Sequence, residues 1–296
     1  MSLFKKAERK QAKLRLGLVG PAGSGKTFSA LQIAGGLGGK VAVIDTERGS
    51  ASLYSDLLDF DVAEMEPPYT TQKYITYLQE AEKAGYDVII LDSITHAWAG
   101  EGGLLEEVDK RAGANRGNSF TAWREVTPMH NRFIDAMLNC KAHLIATMRS
   151  KTEYVLEQNS QGKQVPKKVG MAPIQRDGMD YEFTVVFDLS QDHIATASKD
   201  RTSLFDGQAF TPSAETGEKL KEWLESGEPP TDWKQKYIDT ALELGFEFEE
   251  LQLLAEKTGK KKFNDLQDST FQALLDRFAD GAEAVGKAKE FVKGAK

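Results

Sequence analysis

Eight consecutive residues, Gly20-Pro21-Ala22-Gly23-Ser24-Gly25-Lys26-Thr27, carry the most specific chemistry in this 296-residue chain. They fit GxxxxGK[ST] in full, between a strand-like run (LRLGLV, 14–19) and a helix-like one (TFSALQIA, 27–34). Glycines let the backbone wrap close to phosphate oxygens, while successive N–H groups and the helix N-terminus supply positive potential. In that cradle Lys26 reaches the β- and γ-phosphates and the Thr27 hydroxyl holds Mg²⁺, so the expected cofactors are ATP and Mg²⁺. Asp92 ends the apolar run of 86–93, at the strand tip where ligands bind in open α/β sheets, and there it orders Mg²⁺. Glu47 lies just beyond the run KVAVIDTE (40–47), where a carboxylate can polarise the water that attacks the γ-phosphate.

These groups need a sheet to hold them. LRLGLVG (14–20), KVAVIDTE, YDVIILDS (86–93) and AHLIATMR (142–149) read as strands buried on both faces. Helical spacing fills 27–37, 70–85 and 121–139 between them. The alternation predicts an α/β fold with a mainly parallel sheet flanked by helices. Two strand-like runs without an intervening helix, at 180–190 and 192–199, predict an antiparallel edge hairpin. Between the core strands, 150–178 is a long polar stretch punctuated by Gly and Pro, a functional loop by its length. A break at SGEPPTD (226–232) precedes a strand-free stretch of three or four short helices. The expected organisation is a basic arm at 1–12, an ATPase-type core at 13–226, a linker at 227–232 and a small helical domain at 233–296.

Composition narrows the class. Cys140 is the single cysteine and the four histidines are scattered, so neither a disulfide framework nor a Cys/His zinc site can be spelled. No apolar run approaches the ~18 residues of a membrane span, and no leader pattern marks the N-terminus; a cytoplasmic protein with no membrane partner is expected. The net charge of -7 argues against a nucleic-acid coat, but two islands are basic. Residues 1–15 carry six cations against Glu8, and 151–176 carry five against Glu153 and Glu157. Such runs are either solvated faces or local polyanion sites.

The order of P-loop, IDTE strand, LDS strand, TMR strand, long loop and hairpin resembles the RecA-type ATPase core. Over 13–226 it is most similar to phage RecA-like ATPases of single-strand annealing and recombination. The resemblance implies several roles. Glu47 would activate water, Tyr54 would stack on adenine, and Arg149 or Ser150 would sense the γ-phosphate where the family commonly has glutamine. Lys199 and Arg201, one residue apart at a strand end, would reach the γ-phosphate of an adjacent subunit, as arginine fingers do. Alternatively, KDRT is a polar surface turn. Phe4-Lys5-Lys6-Ala7 fits a short neighbour-docking pattern or is simply a basic arm with one apolar anchor. Two segments would face DNA: a flexible stretch with Lys110, Arg111 and Arg116, and the long loop with Lys151, Lys163, Lys167, Lys168 and Arg176. Tyr154, Trp98 and Trp123 give little aromatic surface, so backbone tracking outweighs stacking. The expected activity is DNA-stimulated ATP hydrolysis, and the implied partners are single-stranded DNA, further copies in a ring or filament, and a cognate single-strand-binding protein, in the cytoplasm of a bacterial host. The alternatives are an ATP-dependent loader or motor acting on protein, and a small-molecule kinase; the kinase lacks an Arg-rich lid here. Lys260-Lys261-Lys262 is a compact basic turn that touches DNA or a partner, or is a solvated loop.

Overall fold

The structure, a computed structural model, describes residues 4, 6–114, 117–158, 164–229 and 231–294, with the backbone path alone for 152–158 and 164–171. The chain divides into two compact units, 1–228 and 229–296.

The first unit begins with β1 (Arg15–Gly20), whose residues are all buried, followed by α1 (Lys26–Leu37), β2 (Val41–Asp45) and the short edge strand β3 (Asp61–Glu64). Next come α2 (Thr71–Lys83), β4 (Val88–Asp92), α3 (Thr95–Ala99), α4 (Leu104–Ala114) and α5 (Ser119–Leu138). Then follow β5 (His143–Gln158), β6 (Gln164–Pro173), β7 (Val185–Leu189), β8 (Ala195–Asp200), β9 (Ala209–Phe210) and α6 (Ala214–Glu225). The sheet order is β3-β2-β4-β5-β1-β7-β8-β9, with β6 paired to β5. Pairing is parallel from β3 through β7 and antiparallel at β7–β8, β8–β9 and β5–β6.

Alternation along the strands feeds two cores. In β4, Ile89 and Leu91 pack with Tyr74, Phe133 and Met148 on one face of the sheet, and Val88 and Ile90 pack with Leu31, Ile33 and Phe187 on the other. On that second face α1 and α6 approach at glycines: a Cβ on Gly36 would sit 1.9 Å from the Ala214 carbonyl oxygen, and one on Gly217 2.1 Å from that of Ile33. Buried Arg15 donates to the Leu138, Cys140 and Ala142 carbonyls, tying the end of α5 to the start of β1. The Leu138 carbonyl is one of those that the end of α5 leaves without an intrahelical partner.

Two expectations are corrected. Residues 110–114 are the last turn of α4 rather than flexible chain, because Glu106–Lys110 and Glu107–Arg111 stand one turn apart as ion pairs and support the helix. The stretch 150–178 is not an open loop: β5 runs on to Gln158, and β6 returns along it as an antiparallel ribbon with a bulge at Glu153/Tyr154. Backbone pairing satisfies groups that a polar composition alone leaves unassigned.

The second unit holds α7 (Trp233–Glu243), α8 (Phe248–Gly259), α9 (Asp268–Ala279) and α10 (Ala282–Lys293) around Tyr237, Leu251, Phe271 and Phe278. Among the described residues no helix is long and apolar enough to cross a membrane.

Candidate nucleotide site

The carboxyl ends of β1, β2 and β4 meet the middle of β5, at 147–149, beside the loop 20–27. Gly23 and Gly25 hold φ of 77° and 79°, the left-handed region that favours glycine, and Gly25 caps α1 so that its first N–H groups face the loop. Within the cradle Lys26 Nζ donates to the Gly20 and Pro21 carbonyls at 3.1 and 2.9 Å. Burial holds its pKa below the ordinary lysine value, against the pull of Asp92 and Glu47.

Asp92, only 1% exposed, accepts from Thr27 Oγ1 at 2.6 Å and from Thr147 Oγ1 at 2.5 Å. Burial raises its pKa, while those hydroxyl bonds oppose the rise. A buried carboxylate beside a threonine hydroxyl is a hard-oxygen set of the kind that holds Mg²⁺ with its waters. The Ser24 hydroxyl, within the loop, is fully buried and has no hydrogen-bond partner. The residues therefore fit a magnesium nucleotide, with Lys26 and the loop N–H groups on the phosphates and Thr27 and Asp92 toward the metal. Bound there, the pair supplies a phosphoryl centre polarised for attack by water.

Glu47 is positioned from below by fully buried Asp45, whose carboxylate accepts from the Glu47 N–H at 2.5 Å and the Ala51 N–H at 3.0 Å. Its own Oε1 accepts from Arg149 Nη2 at 2.9 Å and Nε at 3.0 Å, so the candidate for water activation and the sensor candidate form one ion pair. Arg149 N–H donates to Thr95 Oγ1 at 2.9 Å, and neighbouring Ser150 opens the ribbon opposite Pro173. Tyr54 closes a short 3-10 turn, half-buried, with its ring edge-on to Phe28 of α1 at 6.0 Å. That places an aromatic face beside the start of the P-loop helix.

Several site residues escape sequence reasoning. Thr147 is a hydroxyl in the otherwise apolar run 144–148 of β5, which is the one signal it gives. Thr46 accepts the Ser93 N–H at 2.9 Å and lies 2.7 Å from His96 Nδ1, and the His96 ring stacks on Tyr69. His193, in the β7–β8 turn with φ 62°, sits so close that a Cβ on Gly25 would lie 2.9 Å from its Nδ1. A histidine that far along the chain has no local pattern tying it to the P-loop.

Lys199 and Arg201 come together elsewhere. Lys199 Nζ donates to the Asp180 and Tyr181 carbonyls, and Arg201 Nη2 to that of Tyr181 at 3.3 Å. Burial, then Arg201, lowers the Lys199 pKa. Arg201 N–H donates to Thr184, whose own N–H donates to Arg15, at the opposite end of β1 from Gly20. The pair is thus roughly 16 Å of strand from its own P-loop.

Of the DNA candidates, Lys110 pairs with Glu106, and Arg111 with Glu107 and Glu125. Arg176 lies at the ribbon's root, 5.9 Å over the Trp123 ring, and Lys151 is exposed where the ribbon begins. Lys167 and Lys168 occupy β6 positions opposite Val155 and Tyr154, while Arg116 and Lys163 lie outside the described residues.

No curated protein matches the chain. A family model described as AAA domain (AAA_24) matches residues 12–212, a stretch that carries the P-loop, Glu47, Asp92, Arg149 and the whole sheet. With more than half of its length inside that match, the chain belongs to this AAA domain family of P-loop ATPases.

Proposed function

We propose that the protein is a Mg-ATP-dependent ATPase that binds single-stranded DNA and acts in recombination or single-strand annealing. The observation that carries the reading is the continuity of β5. One strand bears Thr147 on the Asp92 carboxylate and Arg149 on Glu47, then leaves the sheet as the ribbon that holds Lys151, Lys167 and Lys168. Cations along an extended ribbon can follow a phosphate backbone without reading sequence. Lys110 and Arg111, already paired to carboxylates, contribute less to such a path.

In this reading Lys26 leaves the Gly20 and Pro21 carbonyls for the phosphates, and Thr27 keeps its hydroxyl toward the metal. Glu47, as base, takes the proton of the attacking water once Arg149 releases it. DNA pulling on the ribbon moves Arg149 through the shared strand, so binding and turnover are coupled. Gln175 reinforces the linkage by donating to the Ile94 carbonyl, two residues past Asp92.

Assembly into a ring or filament belongs to the same proposal. Lys199 and Arg201 stand roughly 16 Å of strand from their own P-loop, which supports a role on a neighbour's site in this reading. Beside the exposed edge strand β3, a groove of about 350 Å³ lined by Val62, Tyr77 and Tyr86 offers a seat for a neighbour's N-terminal arm with Phe4 and Ala7. A cognate single-strand-binding protein would deliver the strand.

The test is ATP turnover with and without homopolymeric single-stranded DNA, alongside DNA retention over a salt series. Stimulation together with salt-sensitive binding is expected. Equal rates and no retention would remove the DNA reading and favour a loader or motor acting on protein.

A further inference from the structure

The second unit has a groove that its own fold leaves open. It measures about 480 Å³ and lies among α8, α9 and α10, with Leu254, Leu274 and Phe278 as floor and half-exposed Phe291 as one wall. Ala284 and Ala288 line the α10 side, and their small side chains leave the space unfilled. Three exposed cations, Lys257, Arg277 and Lys287, stand on the rim, and no acidic residue lines it. Lys287 is paired with Glu283, whereas Lys257 and Arg277 have no ion pair among the described residues. Lys257 also leads into the basic turn Lys260-Lys261-Lys262. This unit is otherwise rich in both signs of charge, so a cationic rim around an apolar floor is a local arrangement.

The first unit displays the complementary surface. After Ala51 the chain makes a short helical turn in which Tyr54 and Leu58 pack inward on the core. Leu53 and Leu57, four residues apart, are exposed at 81% and 40%, with exposed Asp56 and Asp59 beside them. Among the described residues no other two exposed large apolar side chains lie within four positions of each other. Apolar anchors at that spacing on an acidic turn are what an apolar groove with a basic rim accepts. A nucleic acid would meet the rim but leave the floor uncovered, and the floor's one hydroxyl, Thr258, already donates to the Leu254 carbonyl.

We propose that the α8–α9–α10 groove of one copy takes the 53–59 turn of a second copy, Leu53 and Leu57 entering the groove and Asp56 and Asp59 meeting Lys257 and Arg277. The two patches are different surfaces, so the contact is head-to-tail and continues from copy to copy. It rests on the reading of an assembling ATPase and adds an interface beside Tyr54, where nucleotide and neighbour would be felt together.

A charge swap on the full chain tests it, read by sedimentation velocity over a concentration series with Mg-ATP. Lys257→Glu with Arg277→Glu, and separately Asp56→Lys with Asp59→Lys, should each weaken association about tenfold or more. The quadruple variant, which restores opposite charges, should recover most of it. Leu53→Ser, with circular dichroism unchanged, should weaken association without new repulsion. Wild-type association in both charge-reversed variants would overturn the contact while leaving the assembling reading in place. Failure of the swap to recover association in folded protein would overturn it as well. A wild-type chain that stays monomeric with ATP and DNA at every concentration would overturn both. Recovery seen only as a compact, concentration-independent monomer would place the contact within one chain and overturn the proposal.

Discussion

Lys26 holds two loop carbonyls in its own cradle, so its ammonium is poised where phosphate oxygens would replace them. Lys26→Ala should reduce phosphate release to background, and wild-type turnover at saturating ATP would refute the nucleotide-site assignment. Glu47→Gln keeps the side-chain size and an acceptor but removes the base. Turnover should fall by about 10²–10⁴-fold with nucleotide affinity retained; lost affinity in folded protein would make Glu47 a binding residue. At this scale the sequence was most explicit about residues adjacent in the chain. The loop 20–27 is legible because one contiguous segment supplies every group it needs. The Arg149–Glu47 ion pair is not, since 102 positions separate its partners and only the parallel strands bring them together.

The ribbon is an element whose existence depended on pairing. Its polar, Gly- and Pro-marked sequence lacks the alternation that announces a half-buried strand, so only the backbone pairing reveals it. Replacing 152–171 by a short glycine linker should leave basal ATP hydrolysis measurable while abolishing DNA stimulation; stimulation that survives would move the DNA path elsewhere. At the other end of β5, His143 accepts the Leu14 N–H at 3.1 Å, and burial lowers its pKa to about 4. A histidine depressed in the fold favours the native state above its ordinary value near 6.5, and that contribution is lost as pH falls toward 4. The loss should reach roughly 3 kcal/mol in urea unfolding of the chain. His143→Asn retains an acceptor without the titration and should flatten that pH dependence; an unchanged slope would exclude His143 as its source.

For the whole molecule, Lys199 and Arg201 carry the question of assembly. Replacing both by alanine should leave ATP binding nearly intact and lower turnover by an arginine-finger magnitude, on the order of a thousandfold at most. A Lys26→Ala subunit still lends these cations, and the double mutant still has its own P-loop. Mixing the two should therefore restore part of the activity through hybrid interfaces. Absence of recovery despite demonstrated co-assembly would return KDRT to a surface turn.

From residue order alone came the phosphate loop, the buried strands with their intervening helices, and the break near 226–232 before the helical stretch. Each rests on local spacing: a glycine pattern, a run of apolar residues, a period of three to four. The tertiary structure decided what depends on partners far apart in the chain. It placed Thr147 on Asp92, set His193 against Gly25, joined Arg149 to Glu47, and carried β5 out of the sheet as a ribbon. Hydrogen bonds and ion pairs between distant segments leave no period behind them, so only the folded backbone could reveal these placements.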